Sequence, residues 1–314
     1  MSSIFHYSSN EGAFGIIKSR RIFATNYKYL NDLQEIELVR EILVPIFARD
    51  FRDEASELIH QGKLKSDFLK EYGERVFTDE GNRLLNVAIE ITDKTTPIFI
   101  ASFCRHEAES EQWEHGLLSQ WRGYGTYGGC ALEFDEEGIE KLIAVEKQDY
   151  AFSHVSLCDV QYDNYAKVFE EQEVNVEGLA RATLQRLIND PIEEDKSFAD
   201  GMRHLYGAIS LTAPRLKSAA FREEREVRIV APCMRPAAAA EFPTRKRRPI
   251  LMRFRNGLPI PYIELFVDAP QLPIKRIIVG PQRDQGKVAY ALELALEAAE
   301  MSVEVALSDI SYLP

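Results

Sequence analysis

The sequence predicts an α+β fold in which a mixed or antiparallel sheet is interrupted by two helical insertions. Short apolar segments with the two-residue period of strands occur near the start, in the middle and throughout the last third of the chain. Between them lie two long polar stretches of helix-forming composition, near residues 31–94 and 164–213. Strands and helices do not alternate one for one, which argues against a doubly wound parallel sheet. We therefore expect a single domain over residues 1–314 that carries both insertions.

The chain begins with a predicted strand, a short helix and a second strand. The segment SIFHYS has strand character, NEGAFGIIKSR is amphipathic with Ser9 or Asn10 as its N-cap, and RIFAT follows at once. In the first insertion, Asn31 and Asp32 can cap a helix that continues through IELVREILVPIFARDF. Pro45 is expected to kink or break this helix, because proline lacks a main-chain donor.

The rest of the sheet is predicted from apolar segments that lie between turn residues. They are TPIFIASFC, GGCALEF, SHVSLCDVQY, REVRIVAP, PILMRFRNG, PYIELFV, RIIVGP and SVEVAL, with a helix near residues 283–300 before the last of them. In the second insertion, helices are predicted from an apolar stripe and a separating proline. The stripe consists of Leu179, Leu184, Leu187 and Ile188, and the proline is Pro191.

Composition and charge narrow the class of partner. The chain is 45% hydrophobic and has a net charge of −12, which argues against a protein whose whole surface follows a phosphate backbone. One basic run departs from this balance and is either a solvated loop or a local contact with nucleic acid or protein. It consists of Arg245, Lys246, Arg247 and Arg248. With no long apolar run and no leader-like start, we expect a cytoplasmic protein without a membrane contact.

The cysteines do not predict a metal site. Cys104, Cys130, Cys158 and Cys233 are spread singly, without the paired spacing of zinc ligands or of a disulfide framework. They are expected to be small buried apolar residues. Cys104 has a second interpretation as a nucleophile, because His106 follows two residues later.

Two carboxylates in the segment FREEREVRIV, residues 221–230, are the main candidates for chemistry. If the whole segment is a strand, Glu224 and Glu226 lie on one face, about 7 Å apart. One interpretation is an edge strand with a solvated polar face, on which Arg225 and Arg228 are counter-charges. The other is a catalytic carboxylate pair.

Further candidates lie on two strands and in a glycine-rich block. His6 and Tyr7 alternate on the first strand, so one of them can face a cleft. Ser102 lies on the strand that ends at Cys104. In the block from Trp121 to Gly129, Trp121 and Tyr124 offer flat faces for a base or nicotinamide ring, and the glycines permit close backbone approach. The same block is also typical of a tight turn.

Several motifs in a fixed order resemble a bacterial family known as domain of unknown function 2971. They are HYSS, LNDLQE, SFC, SQWRGYGTYGGCALEF, VQY, a late IIVGP, and the pattern formed by Lys217, Phe221, Glu224, Glu226 and Arg228. The resemblance extends over nearly the whole chain. It implies kinship and no established activity.

The order of His6, Ser102 and Glu226, with Glu224 two residues before the last, also resembles that of ADP-ribosyltransferases more distantly. This resemblance implies an enzyme that cleaves NAD and transfers ADP-ribose to an unknown acceptor, as a toxin or phage-defence effector. Glu226 would stabilise the oxocarbenium-like ribose and Glu224 would orient or deprotonate the acceptor.

The same resemblance gives NAD-binding roles to residues outside the carboxylate pair. They are His6, Tyr7, Ser102, Trp121 and Tyr124, with Tyr124 stacking on nicotinamide. His6 is also expected to be a catalytic residue together with Glu224 and Glu226. The alternative is a non-catalytic binding or regulatory protein of a bacterial conflict system, in which Glu224, Glu226 and Arg228 form a structural ion-pair network. The two hypotheses differ in geometry, since only an enzyme requires His6, Ser102 and Glu226 to line one cleft.

Overall fold

A computed structural model describes residues 2–30, 34–65, 67–68, 70, 73–125, 128–170, 180, 183–184 and 196–312. Some residues used in the sequence predictions lie outside this part of the chain. They are the predicted cap residues Asn31 and Asp32, together with Leu179, Leu187, Ile188 and Pro191 of the second insertion.

The α+β class is confirmed, and each predicted strand segment overlaps an observed strand. The strands are β1 (Ser3–Ser9), β2 (Ile22–Asn26), β3 (Ile98–Cys104), β4 (Gly129–Asp135), β5 (Ser156–Asp159), β6 (Glu226–Pro232), β7 (Leu251–Arg255), β8 (Leu258–Leu265), β9 (Ile274–Val279) and β10 (Glu304–Leu307). They form one sheet of order β10-β9-β4-β1-β3-β2-β8-β7, with β6 pairing β3 and β5 outside that path. The pairing is antiparallel except for β9 with β10, so the sheet is mixed.

The helices occur between these strands and in the two predicted insertions. They are α1 (Asn10–Ser19), α2 (Gln34–His60), α3 (Arg75–Thr95), α4 (Glu111–His115), α5 (Leu118–Tyr124), α6 (Glu136–Asp149), α7 (Tyr165–Glu170), α8 (Lys196–Thr212), α9 (Pro236–Ala239) and α10 (Gln285–Ala298). Short 3-10 turns cover Tyr27–Tyr29, Ala213–Arg215 and Ala219–Glu224. Among the residues described, no helix has the length and apolar character needed to cross a membrane.

The chain divides into two compact units. The first contains Met1–Leu30, Ile98–Val160 and Ala220–Pro314, and the second contains Asn31–Pro97 and Gln161–Ala219. The second unit therefore takes up the two stretches predicted as helical insertions. The expectation that the whole chain is one domain stays a prediction.

The second unit has its own apolar core, formed between α2, α3 and α8. Val39, Phe51, Phe77, Leu84 and Ile209 are among its buried residues. Pro45 lies inside α2, which continues on both sides of it, so the helix is not broken there. The alternative, a kink at Pro45, stays a prediction. Pro45 is exposed, while Leu43, Val44, Phe47 and Ala48 on the other side of the helix are buried. Burial of this apolar face holds the helix together across the proline.

In the first unit, α1 begins as the sequence predicts. Ser9 is the N-cap, and its hydroxyl accepts a hydrogen bond from the N–H of Gly12 at 3.1 Å. The chain then reverses at Arg20, whose φ of 57° lies in the left-handed region. This strand–helix–strand opening places β1 and β2 on the same edge of β3.

Beside β3 the sheet splits. Phe5 of β1 pairs with Cys104 at one end of β3, whereas Thr25 and Asn26 of β2 pair with Ile100 and Phe99 towards the other end. The opposite edge of β3 is paired with β6 along its whole length. Among the described strands, the segment of β3 between the two pairings, which includes Ser102, therefore has no ladder partner on the split side.

Candidate functional site

The two faces of the central sheet differ in chemistry. One face, which we call the helical face, packs Ile4, Phe103 and Leu132 against α1, α6 and α10. The other, which we call the aromatic face, carries Phe5, Tyr7, Cys104 and Ala131 under Leu117 and Trp121 of the α5 region. The candidate residues divide between these faces, because neighbouring residues of a strand point to opposite sides.

Glu226 lies on the aromatic face as one half of a buried ion pair. Cys104 is directly opposite both Phe5 and Glu226, so these three side chains share a face. Nε of Arg228 donates to Oε1 of Glu226 at 2.7 Å, and Nη2 donates to Oε2 at 3.1 Å. Glu226 is 5% exposed and Arg228 2%. This geometry neutralises the carboxylate, since a fork-shaped guanidinium satisfies both oxygens.

Glu224 lies outside the strand that contains Glu226, and the prediction that one strand carries both carboxylates is wrong. Residues Ala219–Glu224 form a 3-10 turn, and the strand begins only at Glu226. Arg225 between them has a φ of 43°, in the left-handed region. Its carbonyl accepts from the N–H of Arg105 at 3.0 Å, which fixes this turn against the end of β3. The two-residue alternation therefore does not extend from Glu226 back to Glu224.

His6 lies on the helical face, opposite to Glu226. It is in register with Leu132, and its ring lies 5.4 Å from that of Phe103, centroid to centroid. Nδ1 of His6 is 2.8 Å from the carbonyl oxygen of Ser102, at the split in the sheet. Burial lowers the pKa of His6, and the charge of Arg253 lowers it further. A neutral imidazole that donates to this carbonyl replaces the missing ladder bond.

Ser102 shares the face of Glu226, because it is directly opposite Arg228. The structure thus brings Ser102 and Glu226 to one side of the sheet and places His6 on the other. The expectation that the three line a single cleft is wrong. The physical reason is the register, since His6 and Phe5 are consecutive and only Phe5 is aligned with Cys104.

Tyr7 belongs to a closed hydrogen-bonded group on the aromatic face. Its hydroxyl oxygen accepts from the N–H of Leu117 at 2.8 Å and lies 2.7 Å from Nε2 of His106. Burial is the main cause that lowers the pKa of His106 to about 4, so its imidazole is neutral. Nε2 can then accept a hydrogen bond from the Tyr7 hydroxyl. Burial also raises the pKa of Tyr7 well above its ordinary value. His106 is thus a partner of Tyr7 in the protein interior.

Cys104 is buried on the same face. The four cysteines are all reduced, and their thiols form no disulfide. Nε2 of His106 lies 2.7 Å from the Tyr7 hydroxyl, and the Cys104–His106 nucleophile stays a prediction. Burial raises the pKa of Cys130 and of Cys233 to about 12, which fits their predicted role as small buried residues.

Trp121 is enclosed and cannot stack on a ligand. It is 2% exposed, its ring meets Tyr7 edge-on at 4.8 Å, and its indole N–H donates to the carbonyl of His115 at 3.0 Å. Trp121 and Tyr124 belong to the helix α5, whereas a tight turn was one interpretation of the block that contains them. Tyr124 is 43% exposed. Of the aromatic residues expected at a nicotinamide ring, Tyr124 alone presents an accessible face.

The aromatic face contains a second buried ion pair, which the sequence analysis did not predict. Glu133 is directly opposite both Phe5 and Arg276, and Nε of Arg276 donates to Glu133 at 3.0 Å. Nη1 of Arg276 also donates to Glu114 at 3.0 Å. The available signal was a charged residue at a strand position where apolar residues were expected, as in GGCALEF. Pairing across strands cannot be deduced from that signal alone.

The basic run is divided between interior and surface. Arg248 is buried, its Nε donates to Oε2 of Glu146 at 3.1 Å, and its guanidinium lies 3.4 Å from the centre of the Tyr150 ring. Lys246 pairs with Asp268 at 3.0 Å. Arg247 is exposed, and Arg245 lies 5.3 Å from the Phe242 ring. The four cations therefore do not form one continuous surface for phosphate.

Within the described part of the chain, no cluster of three histidine, cysteine, aspartate or glutamate residues could hold a metal ion. Three pairs of polar side chains on the aromatic face bind each other: Glu226 with Arg228, Glu133 with Arg276, and Tyr7 with His106.

One family model matches part of the chain. It is described as "Protein of unknown function (DUF2971)" and covers residues 120–229, a stretch that includes Trp121, Glu226 and Arg228. This match supports the first resemblance seen in the sequence. A search of curated proteins and a search of solved structures found no significant match. The resemblance to ADP-ribosyltransferases is not supported by these comparisons.

Proposed function

We propose that this protein is a binding protein without catalytic activity, in which the residues expected at an NAD site serve to build the sheet. The observation that carries this proposal is the placement of His6 and Glu226 on opposite faces. An oxocarbenium-like ribose requires an uncompensated carboxylate beside it. Glu226 is instead held by both arms of the buried Arg228 guanidinium.

The internal hydrogen bonds of the other candidates also favour this function. His6 is engaged with the Ser102 carbonyl, Tyr7 with His106 and Leu117, and the Trp121 ring is covered by Tyr7. An NAD site built from these residues would require several buried contacts to open at once. A scaffold role needs no such rearrangement.

The test compares NAD turnover and stability in the same preparations. Purified full-length protein is incubated with NAD and candidate acceptors, and released nicotinamide is measured for the parent and for Glu226→Gln. We expect no turnover that depends on Glu226 and a lower melting temperature for the variant, because an amide cannot replace the charge opposite Arg228. Turnover that falls about 10²-fold or more in Glu226→Gln, with folding unchanged, would restore the ADP-ribosyltransferase hypothesis.

A further inference from the structure

The β7–β8 hairpin carries a surface that the fold itself does not use. β7 is at the end of the strand order, and among the described strands it pairs only with β8. Its outer edge therefore presents main-chain donors and acceptors that a further strand could use. Phe254 is 75% exposed and Met252 58%, which shows that this end of the sheet is uncovered.

The two faces of β7 have opposite character. Met252 and Phe254 alternate onto one face, where they are directly opposite Pro261 and Pro259 of β8. Arg253 and Arg255 alternate onto the other face. Nη2 of Arg253 donates to the Thr25 hydroxyl at 2.8 Å, and Arg255 donates to the Tyr29 carbonyl at 3.2 Å, so both side chains are directed by neutral acceptors.

The region around β7 is basic, whereas the chain as a whole is acidic. Residues 243–263 contain six cations and no acid, in a protein of net charge −12. Lys246 and Arg248 are neutralised by Asp268 and Glu146. Arg245, Arg247, Arg253 and Arg255 form no ion pair with any acid that the structure describes. The pKa of Arg253 is lowered by burial and then by the nearby charge of Arg255, so an anion placed beside the two would be stabilised by both.

From this surface we infer that β7 binds an extended acidic segment of a protein partner as an added strand. The segment would alternate acidic and apolar residues, with its apolar side chains beside Met252 and Phe254. Its acids would lie on the face of Arg253 and Arg255, whose guanidinium groups would turn from Thr25 and Tyr29 to meet them. Main-chain hydrogen bonds to the free edge would provide affinity, and the alternation would provide specificity. This inference rests on the proposed binding function and assigns it a surface and a class of partner.

A second copy of the chain is a poorer occupant of the same edge. Pairing β7 with β7 would bring Arg253 and Arg255 next to the same residues of the other copy, and like charges opposed across strands are destabilising. An acidic strand removes that repulsion. The charge pattern therefore selects a partner of opposite sign.

The probe is a fluorescein-labelled peptide in which Glu alternates with Val. Its length of about eight residues is typical of one strand. Its binding to the full-length protein is followed by fluorescence anisotropy. Two control peptides are used, one with the same Glu and Val residues in two blocks and one that alternates Lys with Val. We expect binding of the alternating acidic peptide alone, with hydrogen-exchange protection appearing at the β7 amides.

Variants then locate the binding surface. Arg253→Glu with Arg255→Glu should weaken peptide binding by at least about 10-fold. Met252→Ser with Phe254→Ser should weaken it as well. The control for charge reverses two exposed cations elsewhere, with Lys18→Glu and Arg283→Glu. The control for apolar surface replaces two exposed apolar residues of α10, with Tyr290→Ser and Leu294→Ser. If the charge-reversed variant does not fold, Arg253→Gln with Arg255→Gln removes the two positive charges without adding negative ones, and its affinity for the peptide is measured instead.

Several results would overturn the inference. Equal binding of the block peptide would exclude recognition of alternation, and unchanged affinity of the arginine variants would exclude the charge argument. Displacement of the peptide by single-stranded oligothymidine would assign the surface to nucleic acid. A dimer that dissociates on Met252→Ser with Phe254→Ser would assign it to a second copy. Each of these results leaves the NAD-turnover test unaffected, so the two proposals fail separately.

Discussion

At the residue scale, two glutamate–arginine pairs determine the character of the aromatic face. Glu226 and Arg228 lie two residues apart on β6, whereas Glu133 and Arg276 face each other across β4 and β9. Burial of charge is costly, and it is tolerated here because each guanidinium binds its carboxylate directly. Removing one member of a pair therefore costs more than removing both.

The first prediction concerns the free energy of unfolding of Arg228 and Glu226 variants. Arg228→Met leaves the Glu226 carboxylate buried without its guanidinium, and we expect a loss of about 3–5 kcal/mol in urea unfolding. Adding Glu226→Leu to Arg228→Met should recover part of that loss. As a control, Glu137→Gln breaks an exposed pair with Lys141 on α6 and should leave the free energy of unfolding nearly unchanged. Additive losses in the double variant would contradict the coupling of Glu226 with Arg228.

At the element scale, α5 is fixed to the sheet through Trp121, and two glycines make room for its ring. A Cβ at Gly116 would lie 2.4 Å from Cζ2 of Trp121, and one at Gly280 would lie 2.7 Å from Cε3. Gly116 also has a φ of 81°, which side-chain-bearing residues rarely adopt. The close approach of Gly280 has no signature in the sequence, since it depends on a helix more than 150 residues earlier.

The second prediction is that Gly280→Ala displaces Trp121 and destabilises the first unit by about 1–3 kcal/mol. The two tryptophans of the chain, Trp113 and Trp121, both lie on the aromatic face, so intrinsic fluorescence reports its unfolding. Gly123→Ala in α5, the helix that carries Trp121, is the matched control, because the added Cβ would have no non-local atom within 4 Å. An equal effect of both substitutions would show that backbone freedom, and not the contact with Trp121, is responsible.

The third prediction concerns the proline inside α2. Pro45→Ala restores a main-chain donor and removes a clash with the preceding turn, so it should stabilise the helix by about 1–3 kcal/mol. The side chain at this position is exposed, and little packing is lost. Circular dichroism at the helical band would follow the change, with Glu41→Ala on the same helix as control. A lower melting temperature for Pro45→Ala would contradict this interpretation of α2.

At the scale of the whole molecule, buried histidines make stability depend on pH. Burial, together with a smaller effect of a nearby cation, lowers the pKa of His106 and of His154 to about 4. An unfolded chain with an ordinary histidine pKa of 6.5 takes up protons that the folded chain excludes. Their contribution to stability is complete above pH 6.5 and is lost as the pH falls towards 4.

The fourth prediction is a steep loss of stability between pH 6 and 4.5, with a slope of up to about 1.4 kcal/mol per pH unit for each such histidine. His106→Asn removes one titrating group beside Tyr7 and Arg225, and the slope should become smaller. Urea unfolding followed by tryptophan fluorescence at several pH values measures this slope. The same slope in parent and variant would show that His106 does not exclude a proton in the folded state.

The sequence by itself was sufficient for the α+β class, the position of every strand segment and the two helical stretches that make up the second unit. These features follow from local patterns, because periodicity and turn residues act over a few positions. It also allowed His6, Ser102 and Glu226 to be singled out, since polar residues in apolar strands are visible without a structure.

Tertiary structure alone decided what those residues do. The register between β1, β3 and β6 put His6 on one face and Glu226 on the other, and a shift of one residue would have reversed that result. The left-handed backbone at Arg225 separated Glu224 from the strand, and long-range contacts enclosed Trp121 and paired Glu133 with Arg276. Strand register and contacts between distant segments depend on the whole fold, so no local pattern encodes them.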